Sequence, residues 1–146
     1  MPEIRILYLT NACKQDCSDI QSAHQRIELV AAMQDSVALQ PRQRATIPTG
    51  LALELPPDWE AQIHPLPAMA TAHGVTVLNS PGTIDPDYRG EVMVILINLG
   101  EKEVTIERGT PVALMSFAPF TRVILVQAEK LQDTVRSAQG LGSTGR

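Results

Sequence analysis

Short aliphatic and β-branched runs with a two-residue period recur along almost the whole chain, and turn-forming residues separate them. Ile4, Ile6 and Tyr8 open the series. Ile27-Glu28-Leu29, Val37-Ala38-Leu39, Thr46-Ile47, Leu51 to Leu55, Glu60 to Ile63, Val75 to Leu78, Val92 to Ile97, Val104 to Ile106, Val112 to Phe117 and Val123 to Val126 continue it. A period of two sends alternate side chains to one face, which describes a strand and not a helix. Between the runs stand Pro48-Thr49-Gly50, Pro56-Pro57-Asp58, Ser80-Pro81-Gly82, Gly100-Glu101-Lys102 and Arg108-Gly109-Thr110, residue types that reverse a chain. Only Pro67 to His73 has helical character. Many closely spaced short strands predict an all-β sandwich, jelly roll or barrel. The missing strand–helix alternation excludes a doubly wound parallel sheet.

The 146 residues, 44 % of them hydrophobic, suit a single domain over 1–146, with a core to about residue 128 and a C-terminal arm over about 129–146. A net charge of −4 argues against a protein that coats nucleic acid. No apolar run is long enough to span a membrane, and Met1-Pro2-Glu3-Ile4-Arg5 lacks the basic start of a signal peptide, so the expected location is the cytoplasm. Cys13 and Cys17 have no second pair with which to build a zinc site and read as free thiols. Aromatic residues are only 3 % of the chain. Either aliphatic residues fill the core, or apolar surface is shared between subunits.

Two stretches carry candidate chemistry. Asn79-Ser80-Pro81-Gly82-Thr83-Ile84-Asp85-Pro86-Asp87-Tyr88-Arg89-Gly90-Glu91 reads as a tight hairpin between two apolar strands. Its exposed backbone groups suit the edge of a flat base. A partly shielded Asp85 suits a general base toward water, and the Tyr88 ring suits packing against a sugar. The same spacing also suits a plain hairpin with a solvated carboxylate and a packing ring. The tail, Gln139-Gly140-Leu141-Gly142-Ser143-Thr144-Gly145-Arg146, is either disordered or a flap whose small residues wrap phosphates, with Arg136 and Arg146 adding charge. His24 and His64 read as surface or packing residues, Trp59 as an anchor at a strand edge, and Met33, Met69, Met93 and Met115 as aliphatic filler.

Taken together, these segments resemble the trimeric dUTP diphosphatase (dUTPase) family from about Ile27 to Arg146. The hairpin resembles the family's uracil-reading third motif. Ile47-Pro48-Thr49-Gly50-Leu51-Ala52 resembles the strand and turn before the second motif. His73-Gly74-Val75, Ile106-Glu107-Arg108-Gly109 and the flap from Gly140 to Gly145 fall where the family has them. A dCTP deaminase shares the fold but fits the turn and the tail less well. The resemblance implies a jelly roll of the β-clip type, a trimer with sites between subunits, and Mg²⁺-assisted hydrolysis of dUTP to dUMP and pyrophosphate. It implies Asp85 as the base that activates water, Tyr88 against the deoxyribose, and Asn79 with the hairpin backbone of Gly82 and Ile84 around uracil. Arg136, Gly142, Ser143 and Thr144 would close over the phosphates.

Other segments depart from the family pattern. Its first motif has small residues and an Asp that organises metal-bound water, where this chain has Gln25-Arg26-Ile27-Glu28-Leu29. Its second has an Arg and a Ser, where this chain has Leu66 and Pro67. Its fourth has an Arg and a Gln, where this chain has Pro111-Val112-Ala113-Leu114. In the tail, Leu141 stands for an aromatic, and Ser137 and Gln139 for glycines. By resemblance, the first, second and fourth motifs of a site come from one subunit, the third from another and the tail from a third. Three readings follow: a weak dUTP diphosphatase, a non-catalytic deoxyuridine-nucleotide binder, or a partner subunit in a mixed trimer with an intact paralogue.

Overall fold

A computed structural model of the chain describes residues 2–13, 26–135, 137 and 138. Among them are ten strands and one helix: β1 (Arg5–Tyr8), β2 (Arg26–Val30), β3 (Val37–Leu39), β4 (Arg44–Glu54), β5 (Trp59–Pro65), α1 (Pro67–His73), β6 (Val75–Val77), β7 (Gly82–Ile84), β8 (Glu91–Asn98), β9 (Val104–Ile106) and β10 (Pro111–Pro119). They form two four-stranded sheets, ordered β1-β4-β8-β6 and β2-β10-β5-β7, and a two-stranded ribbon, β3-β9. Every strand pairing is antiparallel. The all-β jelly roll expected from the sequence is the fold observed.

The strand period explains the layers. β8 alternates buried Val92, Val94 and Leu96 with more exposed Met93, Ile95 and Ile97. β5 does the same with buried Ala61 and Ile63. The inward residues of both sheets meet in one aliphatic cluster that includes Leu29, Ile47, Ile63, Val92, Val94, Val112 and Met115. The core is thus built without large aromatic side chains. The helix is where the sequence put it. Pro67 occupies its first turn, where a missing N–H costs nothing, and Gly74 ends it at φ 69°.

Three expectations change. Thr46-Ile47 and Leu51 to Leu55 are not two strands parted by a turn. They are one strand, β4, with a bulge where the register against β8 shifts between Pro48 and Ala52. Gly50 takes φ 70° there, and an added Cβ would lie 2.3 Å from the Cα of Ala12. The bulge leaves backbone groups without ladder partners. The Gly50 N–H donates to Glu91 Oε1 at 2.7 Å, and the Thr49 hydroxyl donates to the Val92 carbonyl at 2.7 Å.

Second, Asn79 to Glu91 is not a simple hairpin. β6 and β8 pair in one sheet, but β7 between them leaves to pair with β5 in the other. Third, Val123 to Val126 joins no sheet. These four residues have no regular secondary structure and are 73, 91, 92 and 81 % exposed. Their β-branched pattern is intact, but no strand of the described chain lies alongside them.

Candidate functional site

The sheet order decides which candidate residues can meet. Glu28 on β2 and His64 on β5 both pair with Leu114 on β10, so the three form one row across the sheet. Leu66 follows directly after β5, half-buried against the core, and Pro67 begins α1. The segments read from the sequence as first, second and fourth motifs therefore lie side by side. Neither Leu66, Pro67 nor Leu114 carries a side-chain donor, and Pro67 has no N–H. His64 Nε2 lies 3.0 Å from Ser116 Oγ, a neighbouring residue of β10.

The third-motif segment lies elsewhere. Ile84, one residue before Asp85, pairs with Ala61 on β5. From the row of Glu28 that is three strand spacings across the sheet, roughly 14 Å, and three residues along β5, roughly 10 Å more. Glu28 and Asp85 of one chain cannot act on the same water.

Asp85 itself is exposed in the single chain and not shielded, because no described element covers that end of β7. It lines a cleft of about 250 Å³ together with Thr83, Ile84, Tyr88, Glu91 and Met93. A cavity that encloses a drug-sized ligand runs to about 300–1,000 Å³, so one chain offers only part of an enclosure for a nucleotide. Tyr88 stands in the wall with its hydroxyl donating to the Glu91 carbonyl at 2.9 Å. Asn79 lies behind, over Gly82: an added Cβ at Gly82 would be 3.3 Å from Asn79 Nδ2. The structure thus brings Asp85, Ile84 and Tyr88 together and sets Asn79 beside Gly82. The Ser80–Pro81 peptide between them is cis.

Among the described residues, the cleft wall contains two carboxylates, Asp85 and Glu91, and no cationic side chain. Arg89, next in sequence, turns its Nη1 onto the carbonyls of Pro86 and Tyr88 at 2.7 and 3.0 Å. Arg108 is similarly engaged. Its Nη1 donates to the Ala32 carbonyl and its Nη2 to the Asn11 carbonyl, at 2.9 and 2.7 Å, tying the N-terminal segment to the loop after β2. Glu91 was missed in the sequence as a site residue. The sequence carries no signal for it, because its partners Asn11 and Gly50 lie far away along the chain.

Arg136, Gly142, Ser143 and Thr144, the expected phosphate flap, lie outside the described residues, as do Cys17, His24 and Gln25. Cys13 is a free thiol whose Sγ donates to the Ala31 carbonyl at 3.4 Å. No three His, Cys, Asp or Glu side chains among the described residues gather into a metal-ligating group. No helix among them is long and apolar enough to cross a membrane.

Residues 29–145 match the family model described as dUTPase. The chain is 53 % identical over 111 residues to a deoxyuridine 5'-triphosphate nucleotidohydrolase of Hydrogenobaculum sp. (strain Y04AAS1), covering 76 % of this chain and 77 % of that protein. It is 48 % identical over 120 residues to the enzyme of the same name from Cytophaga hutchinsonii, covering 82 % and 78 %. Among solved structures, a mutant dUTPase of Staphylococcus bacteriophage 80alpha with dUpNHpp superposes with a TM-score of 0.80 at 18 % identity, over 99 % of both chains. A mutant dUTPase from phage phi11 of S. aureus, in which a structural Mg(II) ion is coordinated, gives 0.77 at 16 % identity over 90 % of this chain and 99 % of that one.

Proposed function

The chain belongs to the dUTPase family, and on that premise we propose that it holds a deoxyuridine nucleotide and hydrolyses dUTP to dUMP and pyrophosphate only weakly when assembled from itself alone. One observation carries this reading: the cleft shared by Asp85 and Tyr88 offers a ring, an apolar wall and carboxylates, but no cation among its described lining. That suits a base and a sugar better than a triphosphate. Phosphoryl transfer depends on positioned donors and cations, and losing one commonly lowers the rate by about 10²–10³-fold. Leu66, Pro67 and Leu114 leave several such places without a donor, and such losses do not add simply.

In this reading Asp85 takes a proton from the attacking water, and Tyr88 packs against the deoxyribose. Asn79, Gly82 and Ile84 bound the uracil. Arg136, Gly142, Ser143 and Thr144 close over the phosphates. For Mg²⁺ the described residues provide no cage of their own. They fit an ion carried in on the substrate's phosphates with its waters kept, the usual mode for this cation, and Glu28 would accept a hydrogen bond from such a water. Bound in that way, Mg²⁺ would neutralise phosphate charge.

The chain works as one domain with its arm, in the cytoplasm, where its thiols stay reduced. It assembles as a trimer. The separation of Glu28 from Asp85 within one chain supports a site shared between copies. The exposed apolar run from Val123 to Val126 supports an arm that leaves its own subunit. The row Glu28-Leu114-His64 favours a second reading, in which this chain lends Asp85 and Tyr88 to a site completed by an intact paralogue. Native mass spectrometry of the mixture, with pyrophosphate release, decides it: no mixed species ends that reading.

The leading reading is tested by calorimetry with dUMP and a non-hydrolysable dUTP analogue. Comparable affinities are expected. A much tighter triphosphate would show that other residues grip the phosphates and would refute the weak-hydrolysis reading.

A further inference from the structure

Tyr88 is 43 % exposed, yet each of its polar groups is engaged within its own turn. Its backbone N–H donates to the Asp85 carbonyl at 3.1 Å. Its carbonyl accepts from Arg89 Nη1 at 3.0 Å. Its hydroxyl donates to the Glu91 carbonyl at 2.9 Å. Beneath the ring is Gly90. A Cβ there would lie 2.4 Å from the Tyr88 hydroxyl oxygen and 2.6 Å from Cζ, so no other residue leaves the ring where it is. Glu91 is itself held, because its Oε1 accepts from Asn11 Nδ2 at 2.9 Å and from the Gly50 N–H at 2.7 Å.

We propose that Gly90 and Glu91 are positioning residues that fix the Tyr88 ring as a preformed platform in the cleft, and that position 90 controls nucleotide affinity through that ring alone. The inference deepens the proposed function and rests on its reading of Tyr88 as the group that packs against the sugar. Gly90 is the floor on which the ring lies, and the Glu91 carbonyl is the stop that halts its rotation. The β4 bulge at Gly50 and the N-terminal Asn11 anchor that stop. A ring ordered before the ligand arrives spends no binding energy on being ordered.

The test is a double-mutant cycle on dUMP affinity, with Gly90→Ala, Tyr88→Ala and the double variant. Ring placement is read separately, from nuclear Overhauser contacts between the Tyr88 ring and the amide proton of residue 90, which Gly90→Ala retains. Gly90→Ala is expected to weaken dUMP binding about tenfold and Tyr88→Ala by a similar factor, the scale of one well-placed ring contact. Adding Gly90→Ala to Tyr88→Ala should change affinity by less than about twofold, since the ring it displaces is already gone. Equal losses in both backgrounds, or a Gly90→Ala affinity within twofold of the parent, would overturn the proposal. If the parent binds no dUMP, the functional reading falls and the ring contacts decide this one. Contacts present in the parent and lost in Gly90→Ala sustain it, and their absence from the parent ends it. Should Gly90→Ala not fold, Glu91→Ala takes its place in the cycle, because it loosens the stop without adding an atom.

Discussion

Replacing Asn98 with alanine should destabilise the protein by about 3 kcal/mol, the sum of three lost hydrogen bonds at roughly 1 kcal/mol each. Asn98 is fully buried at the end of β8. Its amide donates to the carbonyls of Leu39 and Lys102, both at 2.8 Å, and its Oδ1 accepts from the Gly100 N–H at 2.9 Å. One side chain thus joins β3 and the turn before β9 to the end of β8, an inner strand of the first sheet. Alanine leaves those partners without Asn98, and the buried contact to Leu39 is the most costly to lose. For a chain of this length about 3 kcal/mol corresponds to roughly 10 °C in Tm. The assay is thermal and urea unfolding at fixed protein concentration, followed by Trp59 fluorescence. Asn98→Asp provides an internal control. Its carboxylate would face two carbonyls, which raises its folded-state pKa, so its stability should be greater at acid pH and lost as pH rises. It should therefore melt below Asn98→Ala at pH 7 and gain on it as the acid protonates. An alanine variant melting within about 1 °C of the parent would refute the reasoning.

Arg108→Ala should lower stability by about 2 kcal/mol, as charge-assisted bonds to the Ala32 and Asn11 carbonyls are lost, while dUMP affinity by calorimetry stays within about twofold. A loss of affinity without loss of stability would make this arginine a ligand contact instead. Ile124→Asp with Val126→Asp should shift the proposed trimer toward monomer in sedimentation, since charge on so exposed an apolar run would block the proposed burial between copies. An unchanged trimer would show that the arm plays no part in assembly.

The strands and helix were legible because burial imposes the two-residue period directly, as on β8, and because Pro67 and Gly74 mark both helix ends. The bulge at Gly50 read as a turn. A positive-φ glycine looks the same in either, and only the β8 partner, with Glu91 Oε1 ready to accept its N–H, makes it a bulge. The departure of β7 to the other sheet was hidden for a similar reason: Gly82 to Ile84 is too short to show a period of its own. Val123 to Val126 carries a strand pattern that its own chain does not satisfy. Sequence records the preference and not the partner. In the site, Asp85, Ile84 and Tyr88 could be read because a short stretch of chain holds them close. Glu91 could not, since its role depends on contacts with Asn11 and Gly50, far away in sequence.

On the proposed function, nucleotide recognition persists while turnover is strongly reduced. Steady-state pyrophosphate release from dUTP with Mg²⁺, by the purified chain alone and beside an intact family member, tests it directly. With dUMP binding established, turnover at least about a hundredfold below the intact enzyme is expected, the scale of even one missing donor at the phosphates. Turnover within about tenfold of it would contradict the account.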